Sequence, residues 1–375
     1  MARFRLGALV TALATAVAVA ACGGTSSNSA STGPSTADCI SQATSAVDKA
    51  TAVLQPNIPT APVNLSSLKG KKIWSIVSSK TVPLHIETAQ GIQEAATAAG
   101  VQYFVFDGKH DPATYNQGID EAISQHVDVI VLHAVPLEAL SSTLPKAIAA
   151  GIKVIGVQNG APDDPLNGMY ARLATDYVHS GTVSADYALS QAKCKGDFAV
   201  FYNSAFSVLV TYHQAAVAEF KRLCPSCKLD EEEVNATTYA TSAGPQLQAV
   251  LRRDPKITWV LSSYDALTTY LIPAVQQMGS DFSKVQIISH DGVAANMQAV
   301  RDGRVQTADL AYSPNNYVGW LIFDEAGRAL TGATPNTTTV QTQLFTTKTI
   351  PPAGGNLYPN FGDYKSTFLK LWGLS

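Results

Sequence analysis

The sequence predicts an α/β protein of two lobes, each built on a parallel sheet with helices on both faces. Two observations carry this. From about residue 72 onward, short apolar runs alternate with helix-length amphipathic stretches, the pattern of successive βαβ units. The runs are nearly continuous in Val, Ile, Leu and Phe, as strands buried on both faces must be. A chain of 375 residues also suffices for two or three domains at roughly 150 residues each.

In the first lobe, strands are expected at 73–78 (IWSIVS), 101–106 (VQYFVF), 127–132 (VDVIVL) and 152–157 (IKVIGV), with helices at 84–99, 112–125 and 137–150 between them. Ala-Ala-Gly at 98–100 and again at 149–151 ends a helix and feeds the next strand, the glycine supplying a left-handed cap. A short apolar element at 169–174 precedes a long helix at 176–191, which starts the second lobe. There the expected strands are 198–203, 229–234, 257–262, 285–289 and 305–311, separated by helices 208–223, 245–253, 266–278 and 292–302. Upstream, residues 38–55 read as an amphipathic helix followed by a Pro-containing linker at 56–68. The carboxyl-terminal stretch from Ile350 carries Tyr358, Phe361, Tyr364, Phe368, Leu369 and Trp372, enough apolar surface to pack, and is expected on the second lobe.

Composition narrows the function. Charged residues make up 15%, against about 25% in an average soluble domain. The 26 basic and 29 acidic side chains form no basic stripe, which argues against a nucleic-acid partner. No G-x-S-x-G, H-E-x-x-H, phosphate-binding loop or dinucleotide glycine fingerprint is present, so neither an enzyme nor a cofactor is expected. His133, His213 and His290 lack the spacing of a metal cluster.

The amino terminus reads as an export signal. Arg3 and Arg5 precede an uncharged run at 6–21 spanning ~24 Å as a helix, short of the roughly 30 Å hydrocarbon core. Val19-Ala20-Ala21-Cys22 resembles the lipobox of bacterial lipoproteins, which implies cleavage before Cys22 and lipidation of its thiol. Residues 23–37 are Gly, Ser, Thr and Pro with few apolar side chains and read as a tether. Four further cysteines, Cys39, Cys194, Cys224 and Cys227, predict two disulfides in an oxidising compartment. Chain order favours Cys194 with Cys224 or Cys227, leaving the other to Cys39. Cys224-Pro-Ser-Cys227 has redox spacing but follows a helical stretch, whereas a low-pKa thiol needs a helix amino terminus.

A ligand is expected in the cleft between the lobes, at the carboxyl ends of the strands. The candidates there are polar or aromatic groups just past strand ends. Lobe one offers Ser79, Lys80, Asp107, His133 and Asn159, with Ser78 and Gln158 beside them. Lobe two offers Tyr202, Asn203, Phe206, Tyr212, His213, Gln214, Tyr264, Asp265 and Asp291, with Asn315 and Asn316 on the returning segment. Carboxylates and amides suit hydroxyl-rich ligands, and aromatic faces cover apolar C–H patches of a sugar ring. Alternatives remain for several: Asp291 as a helix cap, Asp107 with Gly108 as a turn.

The segments KKIWSIVSS, DGKHDPATYNQGIDEAISQHVDVIVLHAV and ISHDGVAANMQAVRDGRVQTADLAYSPNNYVGWLIFDEAGRALTG resemble the type I periplasmic binding proteins, in particular the ribose-binding-like solute receptors of bacterial sugar ABC importers. The resemblance covers about residues 70–345. It implies two Rossmann-like three-layer α/β/α lobes joined by a three-segment hinge crossed near 175, 310 and 338. Lobe one would then be 70–175 with 310–337, and lobe two 176–309 with 338–375, behind a signal at 1–21, a tether at 22–37 and a helix and linker at 38–69. The resemblance puts Asp265 and Asp291 on the family's ligand-contacting aspartates. It further implies a monomeric extracytoplasmic receptor, anchored through Cys22, that captures a small polyhydroxylated solute by hinge closure and delivers it to an ABC permease. The rival readings are a clamshell sensor signalling to a membrane receptor and a secreted enzyme. Departures are also visible: Ser79–Val82 stand where the pattern has aromatics, and Asn159, His213 and Gln214 stand where it has arginines.

Overall fold

The computed structural model describes residues 33–336 and 339–374; the export signal and Cys22 lie outside them. Helix α1 (Thr36–Ala50) is opened by a reciprocal cap, Ser35 accepting from the Asp38 backbone N–H while the Asp38 carboxylate accepts from that of Ser35. After a linker the chain builds β1 (Lys72–Val77), α2 (Pro83–Ala98), β2 (Gln102–Asp107), α3 (Pro112–Ser124), β3 (Val129–His133), α4 (Leu144–Ala149), β4 (Lys153–Val157) and β5 (Ala171–Leu173). These strands form a five-stranded parallel sheet of order β2-β1-β3-β4-β5. The helix expected at 137–150 is broken into a 3-10 turn at Leu137–Leu140 and α4. Pro145 at the start of α4 explains the break, since it offers no N–H and restricts the residue before it.

The second sheet follows α5 (Tyr177–Gln191). Its elements are β6 (Asp197–Tyr202), α6 (Ser207–Leu223), β7 (Lys228–Glu233), α7 (Tyr239–Arg253), β8 (Ile257–Ser262), α8 (Asp265–Gln277), β9 (Gln286–Asp291), α9 (Ala294–Asp302) and β10 (Gln306–Tyr312). Helix α10 (Asn315–Thr331) then leaves this lobe, and β11 (Thr342–Thr346) returns to pair antiparallel with β10. The sheet order is β11-β10-β9-β8-β6-β7. Helix α7 begins six residues before the expected Pro245, because burial of Tyr239 and Ala243 holds the preceding turn helical.

Helix α10 packs on α2 of the first lobe through facing glycines. A Cβ on Gly91 would lie 2.1 Å from the Asn316 carbonyl oxygen, and one on Gly319 2.4 Å from that of Thr88, so no side chain fits at either position. The hinge segments meet where Thr175 bridges Val340. No helix among the described residues is long and apolar enough to cross a membrane.

The carboxyl-terminal extension, expected on the second lobe, lies instead over α10. Its helix α11 (Tyr364–Leu371) leads to Trp372, whose ring stacks on Trp320 at 5.3 Å and whose Nε1–H donates to Asp324 at 2.8 Å. The N–H groups of Val63 and Leu65 donate to the carbonyls of Leu371 and Trp372 at 3.0 Å. The outward face of α10 carries Tyr317 and Trp320, and the aromatics of the extension bury both.

The disulfides also differ from expectation: Cys39 bonds Cys194, and Cys224 bonds Cys227. Helix α1 lies along α5 and brings Cys39 to the turn after it, with Cys39 and Cys194 sharing one apolar cluster. Cys224 caps α6, and a tight turn closed by the Cys227 N–H on the Cys224 carbonyl at 2.8 Å brings its partner back. The first bridge closes a separation of 155 residues, worth about 5 kcal/mol in loop entropy, whereas the second closes a separation of 3, worth about 2. In denaturant unfolding, the double change Cys39→Ser with Cys194→Ser should cost about 2–5 kcal/mol, and Cys224→Ser with Cys227→Ser about 2 kcal/mol or less. Equal losses, or the reverse order, would contradict this ranking.

Candidate functional site

The carboxyl ends of both sheets face one small cavity between the lobes, about 60 Å³ in volume. In lobe one the strands end in register: Val77 is paired with Asp107 and His133, and His133 with Val157. The residues immediately beyond β1, β3 and β4, namely Ser78, Ala134 and Gln158, therefore reach the cavity together. Ala134, Gln158 and the loop residue His110 adopt left-handed backbone, with φ of 53°, 51° and 54°, the conformation that turns the chain sharply at each tip. The first turn of α2 adds Val82, Leu84 and His85.

Lobe two supplies Asn203 beyond β6, Phe206 and Leu209 around the start of α6, Tyr239 of α7, Tyr264 beyond β8 and Asp291 at the end of β9, with Tyr177 at the hinge crossing. The two walls touch: the His110 ring meets Phe206 at 5.9 Å and Tyr239 at 6.2 Å, both edge-on. Both nitrogens of His110 are buried and have no hydrogen-bond partner among the described residues, which leaves one donor and one acceptor for a ligand.

Asp291 occupies a strained turn. Its φ is 134° and that of Gly292 is 81°, and a Cβ on Gly292 would lie 2.5 Å from that of Ala311. Such a conformation costs a non-glycine residue about 1–3 kcal/mol and needs support. Two buried carboxyl groups give it. Asp309 accepts from the Gly292 N–H at 3.0 Å, and Asp265 accepts from the Val293 N–H at 2.7 Å and the Ser289 hydroxyl at 2.5 Å. The Asp265 N–H in turn donates to the Asp291 carboxylate at 3.2 Å. Burial, followed by the charge of Asp265, pushes the Asp291 carboxyl well above its ordinary range.

The histidines are neutral supports. The His85 Nδ1–H donates to the Ser79 carbonyl at 2.9 Å, and the His133 Nε2–H to the Gln158 amide oxygen at 2.9 Å, so Gln158 is held at the cavity wall. Burial lowers His133 to about 4 and His290 to about 3. His85 is lowered too, by burial first and then by His133, whose ring lies 4.5 Å away.

Of the residues expected at the site, Asn203, Phe206, Tyr264 and Asp291 line the cavity, as do Ser78 and Gln158. Asp265 does not: it is fully buried behind the wall, with its carboxyl spent on the turn. Ser79 turns to the Thr81 hydroxyl at 2.8 Å, and Asp107 accepts from the N–H groups of Lys80 and Lys109 while the Lys80 side chain stays exposed. Asn159 turns back to the Leu132 carbonyl and Arg172, both at 3.4 Å. Tyr202 stacks on His213 at 3.8 Å, and His213 meets Glu231 at 2.7 Å, a pair beside β7 rather than on the cavity wall. Tyr212 is core, Gln214 is exposed on α6, and Asn315 donates to Glu87 at 2.7 Å at the hinge. His133 ends β3 behind the wall. His85, His110, Tyr177 and Tyr239 line the cavity without having been expected there. The histidine in Gly-Lys-His-Asp-Pro, just past a strand end, was a usable signal.

With this fold and cleft in place, comparison with known proteins shows the family. The sequence profile of the periplasmic binding protein domain matches residues 75–334, and the chain belongs to that family. It is 20% identical over 279 residues to the ribose import binding protein RbsB of Bacillus subtilis (strain 168), covering 74% of this chain and 88% of that one. Among solved structures it resembles a sugar ABC transporter protein from Yersinia enterocolitica subsp. enterocolitica 8081, with a TM-score of 0.71 at 16% identity over 85% of this chain and 99% of that one. A solute binding protein from Agrobacterium vitis bound with α-D-tagatopyranose gives a TM-score of 0.68 at 23% identity over 76% and 97% of the two chains.

The histidine environment has a measurable consequence. His133 titrates near 6.5 when unfolded and about 4 when folded, so between those values the unfolded chain binds more protons. Its contribution is complete above about pH 6.5 and is lost as pH falls towards 4, a cost of up to about 3 kcal/mol. Imidazole NMR signals of His133 should stay constant from pH 8 to 5. A midpoint near 6.5 would contradict the buried neutral assignment.

Proposed function

We propose that this chain is an extracytoplasmic solute receptor that captures one small polyhydroxylated ligand between its lobes and delivers it to an ABC permease. The observation that supports this best is the cavity itself: it sits where the strand tips of both lobes converge, and it holds a buried carboxyl, Asp291, on a turn built to present it. Family membership supports the receptor role. Names of relatives support the ligand class, since ribose and tagatopyranose are both polyhydroxylated. Ligand favours the closed arrangement through its greater affinity for that state, and the permease recognises the closed form. Cys22 carries the lipid that anchors a monomeric body beside the permease.

A thermal-shift screen of sugars, polyols, nucleosides and small acids, with mass spectrometry of any compound retained through purification, tests the reading. A polyhydroxylated solute should stabilise the protein at one site. Asp291→Ala should then weaken its binding by about 2–5 kcal/mol in calorimetry, because hydroxyl donors are left unpaired in a desolvated cavity. Unchanged affinity would remove Asp291 from the site.

A further inference from the structure

We infer that the solute captured in this cleft carries an ammonium group among its hydroxyls, as an amino sugar or amino polyol does. The inference rests on the receptor reading above and narrows its ligand class. The first support is a buried carboxyl with no cationic partner. Asp291 is the one acidic side chain on the cavity wall, and no Lys or Arg among the described residues lines it. His290 approaches its carboxylate at 3.6 Å but is fully buried and neutral. Glu87 adds negative field at the same point. When the cavity closes over a solute bearing hydroxyls only, burial holds the Asp291 carboxyl towards its protonated form, because an anion with no counter-charge is costly in a desolvated site. An ammonium supplies that charge and donates charge-assisted hydrogen bonds to the carboxylate.

The second support is the shape of the wall. Tyr177, Tyr239, Tyr264 and Phe206 line the cavity that Asp291 enters. The Tyr239 and Tyr264 rings meet edge-on at 5.7 Å. Aromatic rings in a wall can take a cation over their faces, a gain of roughly 0.5–2 kcal/mol over a neutral group. The hydroxyls have separate partners: Asn203, 1% exposed with its Nδ2 unpartnered, and the two free nitrogens of His110.

The third support lies at the mouth. An adjoining chamber of about 650 Å³ shares His110, Asn203, Phe206 and Ala236 with the inner cavity. Its rim carries Glu138 from lobe one and Glu233 from lobe two, again with no Lys or Arg among the described residues. A route lined with one sign of charge concentrates solutes of the other sign. The same field disfavours carboxylates and phosphates.

Calorimetry on the full mature protein at neutral pH, with matched pairs differing only in amine against hydroxyl, tests this. Suitable pairs are D-glucosamine with D-glucose, D-galactosamine with D-galactose, and glucamine with sorbitol. The amine member of at least one pair should bind about tenfold tighter or more, and Asp291→Asn should abolish that preference. If the hydroxyl members bind as tightly as the amines in the unaltered protein, the inference is overturned and the receptor reading stands. If neither member of any pair binds a chain that melts cooperatively, the inference is overturned, while the receptor reading is decided by the wider ligand screen.

Discussion

Two carboxyl groups with no access to solvent, Asp265 and Asp309, determine where the carboxyl of the cleft can be. Each is fully buried, and each is held above the ordinary carboxylate range, Asp309 at about 7, with burial the main cause in both. Their oxygens accept the backbone N–H groups of Gly292 and Val293, the two residues that follow Asp291. Without those bonds, a residue at φ of 134° has no reason to stay there. The Gln306 amide completes the network by donating to Asp309 at 2.9 Å, while Asn296 donates to the Gln306 oxygen at 3.0 Å. Buried polar groups are thus satisfied in a chain running from α9 through β10 to the turn, which is what makes such a network rigid rather than costly.

The two lobes bring different chemistry to the gap. Lobe one presents neutral histidines and an amide, and lobe two presents tyrosines, Phe206 and the carboxyl. The contact across the gap is aromatic, His110 on Phe206 and Tyr239, so the lobes can part without breaking a buried ion pair. Around the back, the hinge is reinforced in a way that an isolated pair of lobes would not be. The linker after α1 ties β11 to the first lobe, the Gln343 amide oxygen accepting the Leu54 N–H at 3.1 Å and Asn57 donating to the Thr339 carbonyl at 2.8 Å. The Tyr358 hydroxyl donates to the Tyr312 carbonyl from the extension that covers α10.

Most of the fold was legible because parallel strands buried on both faces leave unbroken apolar runs, and βαβ units follow from their spacing. The elements that were misread are those where a proline or a distant contact overrides the local pattern, such as the break before α4 at Pro145 and the early start of α7. The extension was placed on the wrong lobe because aromatic content shows that a segment must pack but not on what. The site was less legible for a geometric reason. At a strand tip, neighbouring side chains point to opposite faces, so His133 supports the wall while Ala134 reaches the cavity. Asp265 follows β8, Asp291 ends the adjacent β9, and the two look equivalent in the sequence, yet one is a hidden support and the other is presented. Only the hydrogen bonds around the turn separate them.

If the lobes close on a solute held at the strand tips, the overall dimensions of the molecule must change when that solute binds. Small-angle X-ray scattering of the purified protein, with and without a saturating amount of the compound that stabilises it, measures this directly. The account predicts a smaller radius of gyration in the bound sample, with a single transition matching the binding isotherm. Saturable binding with an unchanged scattering curve would contradict closure as the mode of capture.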